Sequence, residues 1–206
     1  MEQNKIKLIL ASASPRRKEL LGHLQLPFEI IIKNIPEETH FTDPVNYSRH
    51  IAELKGEAVF KEIKTDCLVI SADTIVCLGQ KIYGKPKDIK EARNFLNELA
   101  GKTHSVFTAV TLNLNIGGKI TTHSFVEESK VTFSLITTEL MERYLGTKDS
   151  MDKAGAYGIQ GPSLTFISKV DGDYANVVGF PLSRFVRECE KLLKPLTDGQ
   201  SWFDLF

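Results

Sequence analysis

Segments of strand type and of helix type alternate along nearly the whole chain, and this alternation constrains the fold more than any other feature. An apolar run from Lys7 to Ala11 reads as a strand and breaks at Ser12-Ala13-Ser14-Pro15 into a helix. A second strand spans 28–32, and a helix over 44–63 sets Tyr47, Ile51, Leu54 and Ala58 on one face. A near-continuous apolar strand over 68–77 is interrupted at Ser71, Asp73 and Thr74. Gly79-Gln80 marks a turn, and Asp88 caps a helix over 89–99 that Gly101 ends. A strand over 103–113 and a long return strand through Phe133 flank the hairpin signal Gly117-Gly118. A helix over 138–145 precedes the glycine-punctuated region 150–179, which holds one strand at 166–170. The last helix, over 181–193, places Leu182, Phe185, Val186, Cys189 and Leu192 at helical spacing, and Pro195 closes it. These elements argue for an α/β fold, a mixed sheet with flanking helices. No repeat, low-complexity tract or linker divides the chain, so 1–195 reads as one domain and 196–206 as a loosely held polar tail.

Charge and cysteine usage exclude several classes of function. Lys plus Arg and Asp plus Glu both number 26, so no global field recruits nucleic acid or an anionic membrane. No apolar run approaches the roughly 20 residues needed to cross a bilayer. Met1-Glu2-Gln3-Asn4-Lys5 lacks the apolar core of a secretory signal. Cys67, Cys77 and Cys189 are widely spaced and form no CxxC, which fits a reducing compartment, most simply the cytoplasm.

The break after the first strand has chemical content. Ser14 suits the N-cap, and Pro15 suits the first helical position because its missing N–H would have no partner there. The turn aims free backbone N–H groups and serine hydroxyls at one point, with Arg16 and Arg17 beside it. Such a helix N-terminus attracts multiply charged oxyanions such as phosphates. An ordinary turn with solvated arginines accounts for the same residues, since no glycine-rich phosphate fingerprint is present. Four further places break the structural pattern. Asp73 is a carboxylate inside an otherwise core strand, and it must meet a cation, several donors or a water-filled cleft unless the strand end faces solvent. Lys85 sits on the Gly84-Lys85-Pro86 turn, where solvent exposure is the default. Lys55 borders the apolar stripe of its helix, where most lysines snorkel, and Glu37 is a loop acid. The stretch Asp152-Lys153-Ala154-Gly155-Ala156-Tyr157-Gly158-Ile159-Gln160-Gly161 sets small residues between polar ones, and its glycines permit close approach to a ligand.

Together these residues resemble the Maf family of nucleoside triphosphate pyrophosphatases. The resemblance is carried by Ser-Ala-Ser-Pro-Arg-Arg-x-Glu-Leu-Leu from Ser12, Ala-Asp-Thr-Ile-Val from Ala72, Gly-Lys-Pro from Gly84 and Asp-Lys-Ala-Gly-Ala-Tyr-Gly-Ile-Gln-Gly from Asp152. Gly-Lys-Thr-His-Ser-Val-Phe-Thr-Ala-Val from Gly101 and Asn-Val-Val-Gly-Phe-Pro-Leu from Asn176 extend it. It runs in order from Lys7 to Leu193. It implies an elongated, two-lobed fold of inosine-triphosphatase-like type with a central cleft, often found as a homodimer. It implies hydrolysis of a nucleoside triphosphate to monophosphate and pyrophosphate with a divalent metal, Mg2+ or Mn2+. By motif, Asp73 corresponds to the acid described as catalytic base, and Ser12, Arg16, Lys55 and Lys85 to triphosphate-contacting positions. Glu37 corresponds to an acidic position near the metal, for which Asp73 is the second ligand candidate. Arg16, Thr74 and Gln160 match the specificity positions of the branch acting on dTTP and UTP. A branch associated with 7-methyl-GTP carries Ser-Asp-Gln where this chain has Ala72-Asp73-Thr74.

The residue types suit that chemistry. Water attacking the α-phosphorus meets concentrated negative charge, which Arg16 can clamp as a fork while two lysines act as point charges. A metal bridging phosphate oxygens neutralises charge developing on the leaving pyrophosphate. A free aspartate, with a reference pKa of ~3.9, is a poor base at neutral pH, so Asp73 gains basicity from its surroundings or holds the metal that activates the water. The expectation is therefore a cytoplasmic, metal-dependent pyrophosphatase acting on dTTP and UTP, with no nucleic-acid partner and no membrane. The rival readings are a pyrophosphatase of 7-methyl-GTP or modified nucleotides and a non-catalytic nucleotide-binding regulator. Asp73, Lys55 and Lys85 speak against the regulator, because a pure binder gains little from a reacting acid. A DNA-binding regulator fits badly with zero net charge and no basic helix.

Overall fold

A strand that ends early shapes this protein's cleft. In the computed structural model, which describes residues 5–197 and 199–206, β1 (Lys7–Leu10) pairs in parallel with the longer β3 (Cys67–Leu78), and Leu10 lies opposite Ile70. Beyond that register the chain turns away into α1 (Pro15–Gly22), so the second half of β3 runs on without β1. Ser14 caps α1 by accepting from the Arg17 N–H at 3.4 Å, with Pro15 in the first turn, as expected. The N-terminal residues 1–4, read above as lacking a signal core, and residue 198 lie outside the described residues.

The sheet is mixed. Its strand order is β2-β1-β3-β5-β6-β7, with β2 (Glu29–Ile30), β5 (Thr103–Ile116), β6 (Lys119–Phe133) and β7 (Ile167–Asp171). β4 (Lys81–Tyr83) folds back onto β3. The three strands β2, β1 and β3 are parallel, and every other pairing is antiparallel. Among the described residues six α-helices flank it: α1, α2 (Pro44–Phe60), α3 (Ile89–Leu99), α4 (Thr138–Gly146), α5 (Tyr174–Val178) and α6 (Leu182–Leu193). Asp43, Asp88 and Thr137 cap α2, α3 and α4 through side-chain bonds to backbone N–H groups.

Two large cores divide the length of β3 and β5. Leu68, Ile70, Ala72, Val110 and Leu112 pack with α6 and β1, while Val76 and Val106 pack with α3, α4 and the aromatic residues Tyr83, Phe133, Tyr144, Tyr157 and Phe166. Asp73 falls on β3 where the strand passes from one core to the other. A third, smaller core joins Ile9, Val59, Cys67 and Val69.

Three expectations need correction. The strand expected over 28–32 is regular only at Glu29–Ile30, which pair with Ile9 and Leu10 of β1. The five-residue α5 lies between Gly172 and Gly179 in a stretch that gave no periodic signal. The loosely held tail is packed instead. Trp202 and Phe206 are buried in the core that holds α6, and the Ile6 N–H donates to the Leu205 carbonyl at 2.7 Å. Aromatic burial outweighs the polar residues around it.

Candidate active site

The cleft opens where β1 leaves β3. It encloses about 900 Å³, inside the ~300–1,000 Å³ range of small-molecule sites. Every residue singled out by motif, namely Ser12, Arg16, Glu37, Lys55, Asp73, Thr74, Lys85 and Gln160, lines it. They arrive from six segments: the β1–α1 turn with the start of α1, the loop before α2, α2 itself, β3, the loop after β4 and the region after α4.

The acidic centre depends on how closely α2 approaches the sheet. A Cβ on Gly56 would stand 2.5 Å from Ser71 Oγ and 2.6 Å from Asn113 Nδ2, so only glycine allows the helix this contact. The neighbouring Lys55 is thereby set over β3, where its Nζ lies 2.7 Å from Asp73 Oδ1 and 3.0 Å from Glu37 Oε1. Asp73 is 8% exposed and sits in mid-strand, so it is no solvent-facing strand end. Its buried charge meets the cation that burial demands. Tyr47 faces the same cleft, and burial, then the charges of Asp73 and Glu37, push its phenol up, keeping it a hydrogen-bond donor.

Further cations line the same cleft. Arg16 Nη1 donates to Asp152 Oδ2 at 3.1 Å, and Lys153 Nζ reaches Asp152 Oδ1 at 2.6 Å and Asp149 Oδ1 at 2.9 Å. Burial pushes the Asp152 carboxyl up, but Lys153 and Arg16 together hold it below the usual carboxylate range. Lys85 is exposed on the rim and has no carboxylate partner among the described residues. Gln160 is also exposed, on a segment whose Gly155 has φ 67° and lies against Val76, where a Cβ would stand 2.9 Å from Cγ2. Behind that segment the Tyr157 hydroxyl bonds His104 Nε2 at 2.8 Å. Burial pushes His104 down to about 4, so the imidazole is neutral at physiological pH.

Two of the hydroxyls are already hydrogen-bonded within the cleft wall. Ser12 Oγ accepts from the Ser14 N–H at 3.2 Å and from Arg17 Nη1 at 3.3 Å, which fixes its place in the turn and leaves its own hydrogen to donate. Thr74 Oγ1 accepts from Arg17 Nη2 at 3.0 Å and contacts Thr108 Oγ1 at 3.0 Å. His104 and Tyr157 were given no role from sequence, and Arg17 was read only as a cation beside the phosphate-attracting turn. The signal for Arg17 was its helical phase: neighbours on a helix point about 100° apart, so Arg16 and Arg17 could not share one environment.

Glu37 and Asp73 both reach the Lys55 ammonium and carry hard oxygen donors, the class that Mg2+ and Mn2+ take. Among the described residues no cluster of three or more His, Cys, Asp or Glu could hold a metal by itself. The pair therefore fits an ion that draws its other ligands from water and phosphate oxygens. No helix among the described residues is long and apolar enough to cross a membrane.

A family model described as Maf-like protein matches residues 7–192. A dTTP/UTP pyrophosphatase of Bacillus cytotoxicus is 43% identical over 196 residues, covering 95% of this chain and 98% of its own length. A dTTP/UTP pyrophosphatase of Clostridium novyi is 45% identical over 184 residues, covering 88% of this chain and 95% of its own. A crystal structure of a nucleoside-triphosphatase / dITP/XTP pyrophosphatase from Mycobacterium abscessus aligns with a TM-score of 0.44 at 12% identity, covering 95% of this chain and 100% of its own.

Proposed function

This chain belongs to the Maf family, and we propose that it is a nucleoside triphosphate pyrophosphatase that hydrolyses dTTP and UTP to the monophosphate and pyrophosphate. The observation that carries this reading is the Asp73–Lys55–Glu37 cluster, set in a cleft that Arg16 and Lys85 also line. The two relatives named above, both dTTP/UTP pyrophosphatases, support the substrate class.

In this reading the triphosphate lies in the cleft. Arg16 and Lys85 hold its oxygens, and the incoming charge competes with Asp152 for Arg16. It competes for the Lys55 ammonium in the same way. In the free protein the Lys55 ammonium donates to Asp73 Oδ1 at 2.7 Å, so that oxygen is occupied. Drawn toward the phosphates, Lys55 leaves Oδ1 free to accept a proton from a water aligned with the α-phosphorus. Water then forms the new P–O bond, its proton passes to Asp73, and the bond from the α-phosphorus to the bridging oxygen breaks as pyrophosphate leaves. A divalent ion held by Glu37 and Asp73 would neutralise charge on the phosphate oxygens. Gln160 offers an amide that both donates and accepts, matching the O4 and N3–H edge of thymine or uracil.

Buried free thiols at Cys67, Cys77 and Cys189 support a reducing, cytoplasmic setting, and the family resemblance supports a homodimer. The test is a nucleotide panel with pyrophosphate detection, run with Mg2+, with Mn2+ and with chelator. Turnover of dTTP and UTP above CTP, GTP and 7-methyl-GTP, abolished by chelator, is expected. Preference for 7-methyl-GTP, or no turnover of any nucleotide, contradicts the reading.

A further inference from the structure

The Arg17 guanidinium is tied to three separate segments of the cleft wall. Its Nε donates to the Gly179 carbonyl at 2.9 Å, Nη1 to Ser12 Oγ at 3.3 Å, and Nη2 to Thr74 Oγ1 at 3.0 Å. Those partners lie in the β1–α1 turn, on β3 next to Asp73, and at the junction of α5 with α6. The Thr74 hydroxyl hydrogen has a fixed destination. Thr108 Oγ1 donates its single hydrogen to the Asn176 carbonyl at 3.0 Å, so in the 3.0 Å contact between the two threonines Thr74 is the donor. A directed chain thus runs from Arg17 to Thr74 to Thr108 to Asn176, and Asn176 Nδ2 donates onward to the Val106 carbonyl and Ser129 Oγ.

Thr74 therefore has no hydrogen left to offer a nucleotide, and its contribution passes through its neighbours. A planar fork suits three acceptors in different directions, which an ammonium on a flexible stem does not. We propose that Arg17 is a positioning residue that acts through Thr74, holding the strand that carries Asp73 in register with the phosphate-facing turn and the α5–α6 junction. This rests on the proposed function for its kinetic readout and goes beyond it in assigning Arg17 and Thr74. Burial lowers the guanidinium pKa, and the Asp73 charge opposes that, which ties Arg17 to the acidic centre electrostatically as well.

The experiment compares Arg17→Lys, Thr74→Val, Thr74→Ser, Thr108→Val and the double variant Arg17→Lys/Thr74→Val in dTTP hydrolysis, with thermal melts to confirm folding. Misplacing a reacting group by an ångström costs up to ~100-fold, so Arg17→Lys and Thr74→Val should each lower kcat by about tenfold or more, with KM within about threefold. Thr74→Ser, which keeps the hydroxyl, should stay within about twofold of wild type. The double variant should be no worse than the poorer single, because both cut one chain. A loss carried by KM with kcat intact would make Arg17 a substrate contact and overturn the proposal, as would costs that multiply in the double variant. If Arg17→Lys does not fold, Thr74→Val and Thr108→Val carry the same kcat-against-KM test. A second readout is independent of turnover: the Arg17 Nε–H resonance should exchange slowly in wild type and shift in Thr74→Val. Fast exchange in wild type overturns the brace, whereas absent wild-type turnover with a protected Nε–H refutes the proposed function alone.

Discussion

Asp73 and Lys55 form a 2.7 Å ion pair across the contact between β3 and α2, with side chains only 11% and 19% exposed. The pair explains how a carboxylate can sit in a core strand, and it makes Asp73 the group whose loss should matter most. Asp73→Asn keeps shape and hydrogen bonding but removes the charge that a base or metal ligand needs. Turnover of dTTP should fall by at least about a hundredfold, the scale of lost acid–base catalysis. The variant should still fold, because Glu37 remains 3.0 Å from Lys55, and nucleotide binding measured by calorimetry should survive better than turnover. Near-normal kcat would remove Asp73 from the mechanism.

Asp152 holds Arg16 and Lys153 in the free protein, so it competes with the triphosphate for those cations. Asp152 is 62% exposed, and exposed ion pairs are worth up to ~1 kcal/mol, or about fivefold in binding. Asp152→Asn should therefore lower KM for dTTP by about two- to fivefold at low ionic strength, with less effect at high salt. A raised KM would show that Asp152 assists binding instead.

Gln160 stands exposed on the glycine-bearing segment that faces the cleft. Its amide can rotate to suit cytosine as well, so neighbouring backbone groups must hold one orientation. Gln160→Ala should erode the preference for dTTP and UTP over CTP in kcat/KM while leaving metal dependence in place. An unchanged substrate ranking would place base selection elsewhere.

His104 links stability to pH. Burial holds the folded imidazole down to about 4, whereas an unfolded histidine titrates near its ordinary value of about 6.5. Between those values the unfolded chain binds more protons, so the contribution is complete above about 6.5 and is lost as pH falls toward about 4. The loss amounts to about 3 kcal/mol across the window. Urea unfolding followed from pH 7 to pH 4 should show this slope, and His104→Asn should flatten it. An equally steep profile in the variant would assign the slope to other groups.

Much of this was legible in the sequence because the site residues break local rules. Asp73 interrupts an apolar strand, Pro15 follows a capping serine, and the segment from Asp152 to Gly161 mixes small residues with charge. The rest depends on contacts made at long range. Arg17 and Arg16 are identical in type and adjacent, and only the packing of α1 against Thr74 and Gly179 separates their roles. Thr74 reads as a hydroxyl free to meet a base until Thr108, 34 residues away, takes its hydrogen. The closing segment reads as polar, yet Trp202 is buried in a core built by residues of β1 and α6, far away in the sequence. Gly56 gave no local signal at all, since its value lies in the side chains of Ser71 and Asn113 on the sheet beneath it.

The central claim is attack of water on the α-phosphorus with pyrophosphate as leaving group. Hydrolysis of dTTP in 18O-labelled water, with products resolved by mass spectrometry, tests it most directly. The account predicts dTMP carrying one 18O and unlabelled pyrophosphate. Label in the pyrophosphate, or dTDP with labelled orthophosphate, would contradict it.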